Sequence, residues 1–147
     1  MVRSSRIAVA VAALALAGCG SSQTQSARTV DVRVGGAEVV ADVAADETAR
    51  HKGLSGRASL AEDRGMLFVY PDHVERTYWM KGMRFPIDIV WIDRGRVTGV
   101  EPSVPVPVGD DLPLYPSRVP ADRVLEVRAG WAARHHVERG EQVTIGN

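Results

Sequence analysis

A single cysteine among 147 residues, Cys19, sets the terms on which this chain can fold. It has no partner for an internal disulfide, so stability has to come from an apolar core, and the spacing of apolar residues says what kind. Val30, Val32 and Val34 alternate with Asp31 and Arg33, Gly35-Gly36 supplies a turn, and Ala37, Val39, Ala41 and Val43 resume the period of two. That pattern predicts a β-hairpin. Further strands are expected at Met66–Tyr70, Thr77–Lys81, Ile87–Asp93, Arg96–Glu101, Arg123–Arg128 and Gln142–Ile145. Asp46 is placed to cap a short helix from Glu47 to about Lys52, with Gly53 ending it. Gly130–His136 reads as a second helix, Ala132 and Ala133 being good formers. Six prolines between Pro102 and Pro120 exclude a central strand or helix there and predict a long extended loop. The fold class expected is mainly β (α+β): an antiparallel sandwich or partly closed barrel with two short helices.

The position of Cys19 carries a second message. Arg3 and Arg6 precede an apolar run from Ile7 to Ala17, long enough for a signal-peptide core but short of the roughly 20 residues that span a bilayer. Leu16-Ala17-Gly18-Cys19 resembles the lipobox of bacterial lipoproteins, which implies that the Cys19 sulfur carries a diacylglycerol and its freed amine a further acyl chain. Ordinary cleavage beside an incidental cysteine is the alternative. The expected organisation is a signal peptide at 1–18, a lipidated cysteine and small polar tether at 19–27, and one domain at 28–147. The membrane is thus a partner through the anchor. Gly20 and Ser21 bear no acidic retention signal, which directs a diderm lipoprotein to the outer membrane; in a monoderm the anchor sits on the outer face of the cytoplasmic membrane.

Charge narrows the partners further. Losing residues 1–18 removes two arginines and no acid, leaving sixteen Lys and Arg against eighteen Asp and Glu, a net charge of −2. Such a balance argues against nucleic acid as a partner. There is no Gly-rich phosphate loop, no His-Glu-x-x-His, no Cys-x-x-Cys and no Gly-x-Ser-x-Gly elbow, so no cofactor is expected.

Between Gly53 and Asp93 aromatic, methionine and charged residues are crowded: Gly53-Leu54-Ser55-Gly56-Arg57, Gly65-Met66-Leu67-Phe68-Val69, Tyr78-Trp79-Met80-Lys81 and Phe85-Pro86-Ile87-Asp88. With Leu125-Glu126-Val127, Ala129-Gly130-Trp131 and Val137-Glu138-Arg139-Gly140, these blocks resemble the family called domain of unknown function 192 (DUF192), over about Val39 to Val143. The resemblance implies a β-rich, jelly-roll-like sandwich, often exported or lipid-anchored, and no established activity. The chain departs from the usual pattern at Gly82, where Asn commonly follows the Lys, and at Ser55, where Met is common.

The residues themselves suggest a pocket. In a strand, Trp79 and Lys81 share one face while Tyr78 and Met80 share the other. Asp88 interrupts an apolar run and is expected to be desolvated and paired with Lys81, Arg57 or Arg84. The candidate ligand-binding set is therefore Arg57, Phe68, Trp79, Lys81 and Asp88: aromatic walls, cations and one acid. The competing reading makes Asp88 half of a buried ion pair that fixes strand packing. His51, His73, His135 and His136 show no catalytic partner at a fixed spacing. Asp63 or Glu62 with Asp88 could form a two-carboxylate hydrolase site. Met66, Met80 and Met83 with His73 invite copper, an idea that requires Met80 and Met83 to face one exposed cleft. Three functions follow: a lipid-anchored module binding a glycan or acidic molecule, an accessory protein docking an envelope partner through 102–120, and an envelope hydrolase.

Overall fold

A computed structural model describes residues 28–146, and the expectations for the signal peptide, Cys19 and the tether lie outside them. Strands β1 (Thr29–Val34) and β2 (Ala37–Ala44) pair antiparallel across Gly35-Gly36, with Val34 opposite Ala37. Gly35 has φ +57°, the left-handed conformation that favours glycine in this turn. Helix α1 (Glu47–Lys52) is capped by Asp46, whose Oδ1 accepts from the Ala49 amide at 2.8 Å, and it ends at Gly53.

The two strands expected at 66–70 and 77–81 are one, β3 (Arg64–Tyr78), interrupted by register shifts between Val69 and Val74 and between Glu75 and Thr77. The chain leaves the sheet after Tyr78. Strands β4 (Ile87–Asp93) and β5 (Arg96–Val104) follow as a hairpin, then β6 (Tyr115–Arg128), the four-residue helix α2 (Trp131–Arg134) and β7 (Val143–Ile145).

The proline loop is shorter than expected, because Pro102 lies in β5 and Pro116 and Pro120 in β6. β5 pairs laterally with β4 alone, and β6 pairs with β4 only from Arg123 onward, so each of these prolines has an open edge beside it. A missing N–H costs little there. The irregular stretch is 105–114.

All seven strands form one sheet in the order β5-β4-β6-β3-β2-β1-β7. Every pair is antiparallel except β2–β3, because the crossover through α1 returns the chain to the start of β3 in the direction of β2. The sheet curls until its edges meet: Val97 N donates to Glu141 O at 2.9 Å, Gly140 N to Val97 O at 2.8 Å and Val143 N to Gly95 O at 2.8 Å. The architecture is thus the partly closed barrel of the two expected alternatives.

Alternation sorts the apolar residues onto the two faces. Val30, Val32, Val39, Leu67, Val90, Ile92, Leu125 and Val127 fill one face together with Trp131 of α2. Phe68, Ile87, Ile89, Trp91 and Val124 point the other way, beneath Leu54, Leu60, Met80 and Met83. The second face carries the candidate site.

Candidate functional site

Helix α1 and the segment after β3 approach each other over this second core. Glu47, Thr48, His51 and Lys52 from α1, Ser55 from the following turn, and Trp79, Lys81 and Gly82 enclose a cleft of about 680 Å³. Tyr78 and Met80 turn inward and Trp79 and Lys81 turn out, although residues 79–82 lie beyond the strand, in a turn closed by Met83 N donating to Met80 O at 3.1 Å. Trp79 keeps 46% of its surface exposed. Its ring lies 5.5 Å from Lys81 Nζ, and His51 meets it edge-on with centroids 6.2 Å apart. Backbone geometry holds this wall: Gly56 N donates to Gly82 O at 2.9 Å, and Gly82 has φ +72°.

A chamber of about 40 Å³ shares His51, Lys52, Ser55, Trp79 and Lys81 with the cleft and is further lined by Arg50, Phe68, Tyr78, Met83 and Glu126. Phe68 and Trp91 meet the Tyr78 ring edge-on at 5.2 and 5.3 Å. The Tyr78 and Tyr70 hydroxyls are 2.7 Å apart, and burial together with Tyr70 pushes the Tyr78 phenol far above its ordinary range.

Glu126 is the functional candidate that the sequence reading passed over. It is 5% exposed, and among the described residues its carboxyl group makes no hydrogen bond. Burial pushes its pKa up to about 8, with Arg57 working in the opposite direction. The signal was present: Glu126 interrupts Leu125 and Val127 just as Asp88 interrupts Ile87 and Ile89.

Of the five residues expected to form a pocket, Phe68, Trp79 and Lys81 come together. Arg57 lies in a neighbouring cleft of about 520 Å³, where its guanidinium is 2.8 Å from Asp42 Oδ2, while Arg64 holds the other oxygen at 2.9 Å. Asp88 is elsewhere. Its side chain points to the opposite face of β4, fully buried, and accepts from three backbone amides: Ser103 N at 2.8 Å, Gly130 N at 3.0 Å and Ala132 N at 2.8 Å. The expected ion pair with Lys81, Arg57 or Arg84 is therefore corrected. Backbone N–H groups satisfy the carboxylate without bringing a second charge out of water.

The carboxylate pair considered for hydrolysis is not seen in this arrangement: Glu62 and Asp63 are exposed, with Glu62 3.6 Å from Arg134, whereas Asp88 is fully buried and both of its oxygens accept from backbone amides. The copper set is likewise not assembled, because Met66, Met80 and Met83 are all buried as core filling. His73 is instead bonded to Asp93 Oδ1 at 2.7 Å with Asp122 Oδ2 at 3.9 Å, and these three side chains place donor atoms within 4.8 Å of one another. Among the described residues this is where a histidine and two carboxylates converge.

Comparison with known proteins agrees with the blocks seen in the sequence. The family model of DUF192, described as Uncharacterized ACR, matches residues 30–145. A crystal structure of a candidate transcription regulator from Sinorhizobium meliloti 1021 superposes with a TM-score of 0.74 at 28% identity, covering 82% of this chain and 95% of that one. A protein of unknown function from Novosphingobium aromaticivorans DSM 12444 superposes with a TM-score of 0.72, also at 28% identity, covering 83% and 89%. No curated protein matches.

Proposed function

The chain belongs to the DUF192 family, and from that premise we propose that it is a lipid-anchored binding module of the bacterial cell envelope that takes a glycan or acidic small molecule in the cleft at Trp79 and Lys81. The observation that carries the reading is the half-exposed Trp79 ring beside the Lys81 ammonium at the wall of the 680 Å³ cleft, with His51 and Lys52 opposite. A flat indole offers a stacking surface for a sugar ring, and the two lysines offer charge to an acidic substituent. Binding is preferred to catalysis because, among the described residues, nothing hydrogen-bonds Ser55 to His51 as a nucleophile to its base. With no basic surface in its composition, nucleic acid is not proposed as a partner, whatever the description of the Sinorhizobium relative.

The test is a thermal-shift screen of the full chain against glycans, muropeptides and organic acids, with Trp79→Ala and Lys81→Ala alongside. A ligand at 100 times its dissociation constant stabilises by about 2.7 kcal/mol, and both variants are expected to lose that shift. Silence across the panel would remove this reading. Anchoring is tested separately: incorporation of labelled palmitate is expected in the wild type and absent in Cys19→Ala.

A second reading has its own support. The 105–114 loop exposes Val108 at 87% and Leu114 at 63%, as an accessory protein docking an envelope partner would require. Val108→Asp with Leu114→Asp is then expected to abolish cross-linking to that partner while leaving ligand shifts intact.

A further inference from the structure

We propose that the ligand presents a carboxylate, which enters the inner chamber and pairs there with the side chain of Glu126; this rests on the binding reading above and narrows its ligand to an acid. Size is the first argument. At about 10–15 Å³ as the least space that admits one water-sized group, a 40 Å³ chamber takes about three heavy atoms, which suits a carboxylate better than the bulkier tetrahedral phosphate. Chemistry is the second. Glu126 is buried, makes no hydrogen bond among the described residues and lines this chamber, so its carboxyl group is left to whatever occupies the chamber.

Charge is the third argument. The groups facing Glu126 are Arg50, His51 and Lys52 from α1, Arg57 from the turn beyond it, and Tyr78 and Lys81 from the far wall. Of these, the arginines and lysines give an anion a favourable way in, whereas a neutral hydroxyl would use none of them. At neutral pH Glu126 carries its proton, so it donates one charge-assisted O–H···O⁻ bond and no like charge is buried. The complex holds a single proton between two carboxyl groups, and no covalent step is involved.

The experiment titrates acetate, the smallest such probe, and its neutral isostere acetamide into the full chain, following the Trp79 indole N–H and the Glu126 carboxyl carbon by NMR. Acetate is expected to move both signals and acetamide neither. Because binding requires the Glu126 proton, acetate affinity should fall about tenfold per pH unit above pH 8. Glu126→Gln keeps a neutral donor, so it should bind acetate without that fall. Acetate moving Trp79 but not Glu126, acetamide matching acetate, or the pH dependence persisting in Glu126→Gln would each overturn the proposal and leave the cleft a binding site. Neither signal moving would likewise overturn the proposal, while the binding reading itself stands or falls on the glycan, muropeptide and organic-acid panel.

Discussion

Asp88 and Glu126 sit in the same sequence context and do opposite things. Each interrupts an apolar strand, yet Asp88 is met by three amides and Glu126 by none. Asp88→Ala strands three buried donors at once, at about 1 kcal/mol or more each, so a loss of about 3 kcal/mol is expected in denaturant unfolding. Ligand binding in the cleft should survive it, since that carboxylate faces the other side of the sheet. Glu126 has the reverse effect on stability. It holds its proton to about pH 8 in the fold against an ordinary value of 4.5, so in the unfolded chain it ionises first. Folded stability therefore falls as pH rises across that window and levels off above it. Glu126→Gln is expected to melt higher than wild type at pH 8, by on the order of 3 kcal/mol, and to lose that advantage near pH 4.

The elements that carry the site are held by small steric fits. Gly82 and Ser55 lie against each other: a Cβ at Gly82 would be 2.1 Å from Ser55 Oγ. With φ at +72°, Gly82→Ala is expected to cost about 1–2 kcal/mol and to displace the Trp79–Lys81 wall. Ser55→Ala in the same chain removes the nearest atom and should recover part of that loss, which a double-mutant cycle by thermal unfolding would read as coupling. The proline-bearing boundaries that escaped the sequence reading have one cause. Whether Pro102, Pro116 and Pro120 can lie in strands depends on whether the neighbouring edge is open, and an edge is defined by another part of the chain.

In the whole molecule, a three-residue strand completes the barrel. β7 pairs with β1, and the residues just before it bond to the start of β5, so both ends of the sheet depend on the last few residues described. Short terminal elements open below the global unfolding energy. Amide hydrogen exchange is expected to show Val97, Gly140 and Val143 exchanging through local opening, well before Val90 and Leu125 in the central strands; equal protection would mean that closure and core unfold as one unit. The cleft lies over β3, β4 and β6, so this opening should leave it intact.

Local signals were enough to read the β class from period-two alternation, the hairpin from Gly35-Gly36 and the start of α1 from Asp46, because each depends on neighbours within a few residues. The same local pattern marks Asp88 and Glu126 as buried acids. It is silent on what surrounds them. Three amides from β5 and the start of α2 reach Asp88, while α1 and the 79–83 segment roof Glu126 with a void, and those partners lie up to 76 residues away in the chain, from Arg50 to Glu126. Which acid supports the fold and which is left free for a ligand is a question of long-range packing, decided when the sheet curls and places one acid on each of its faces.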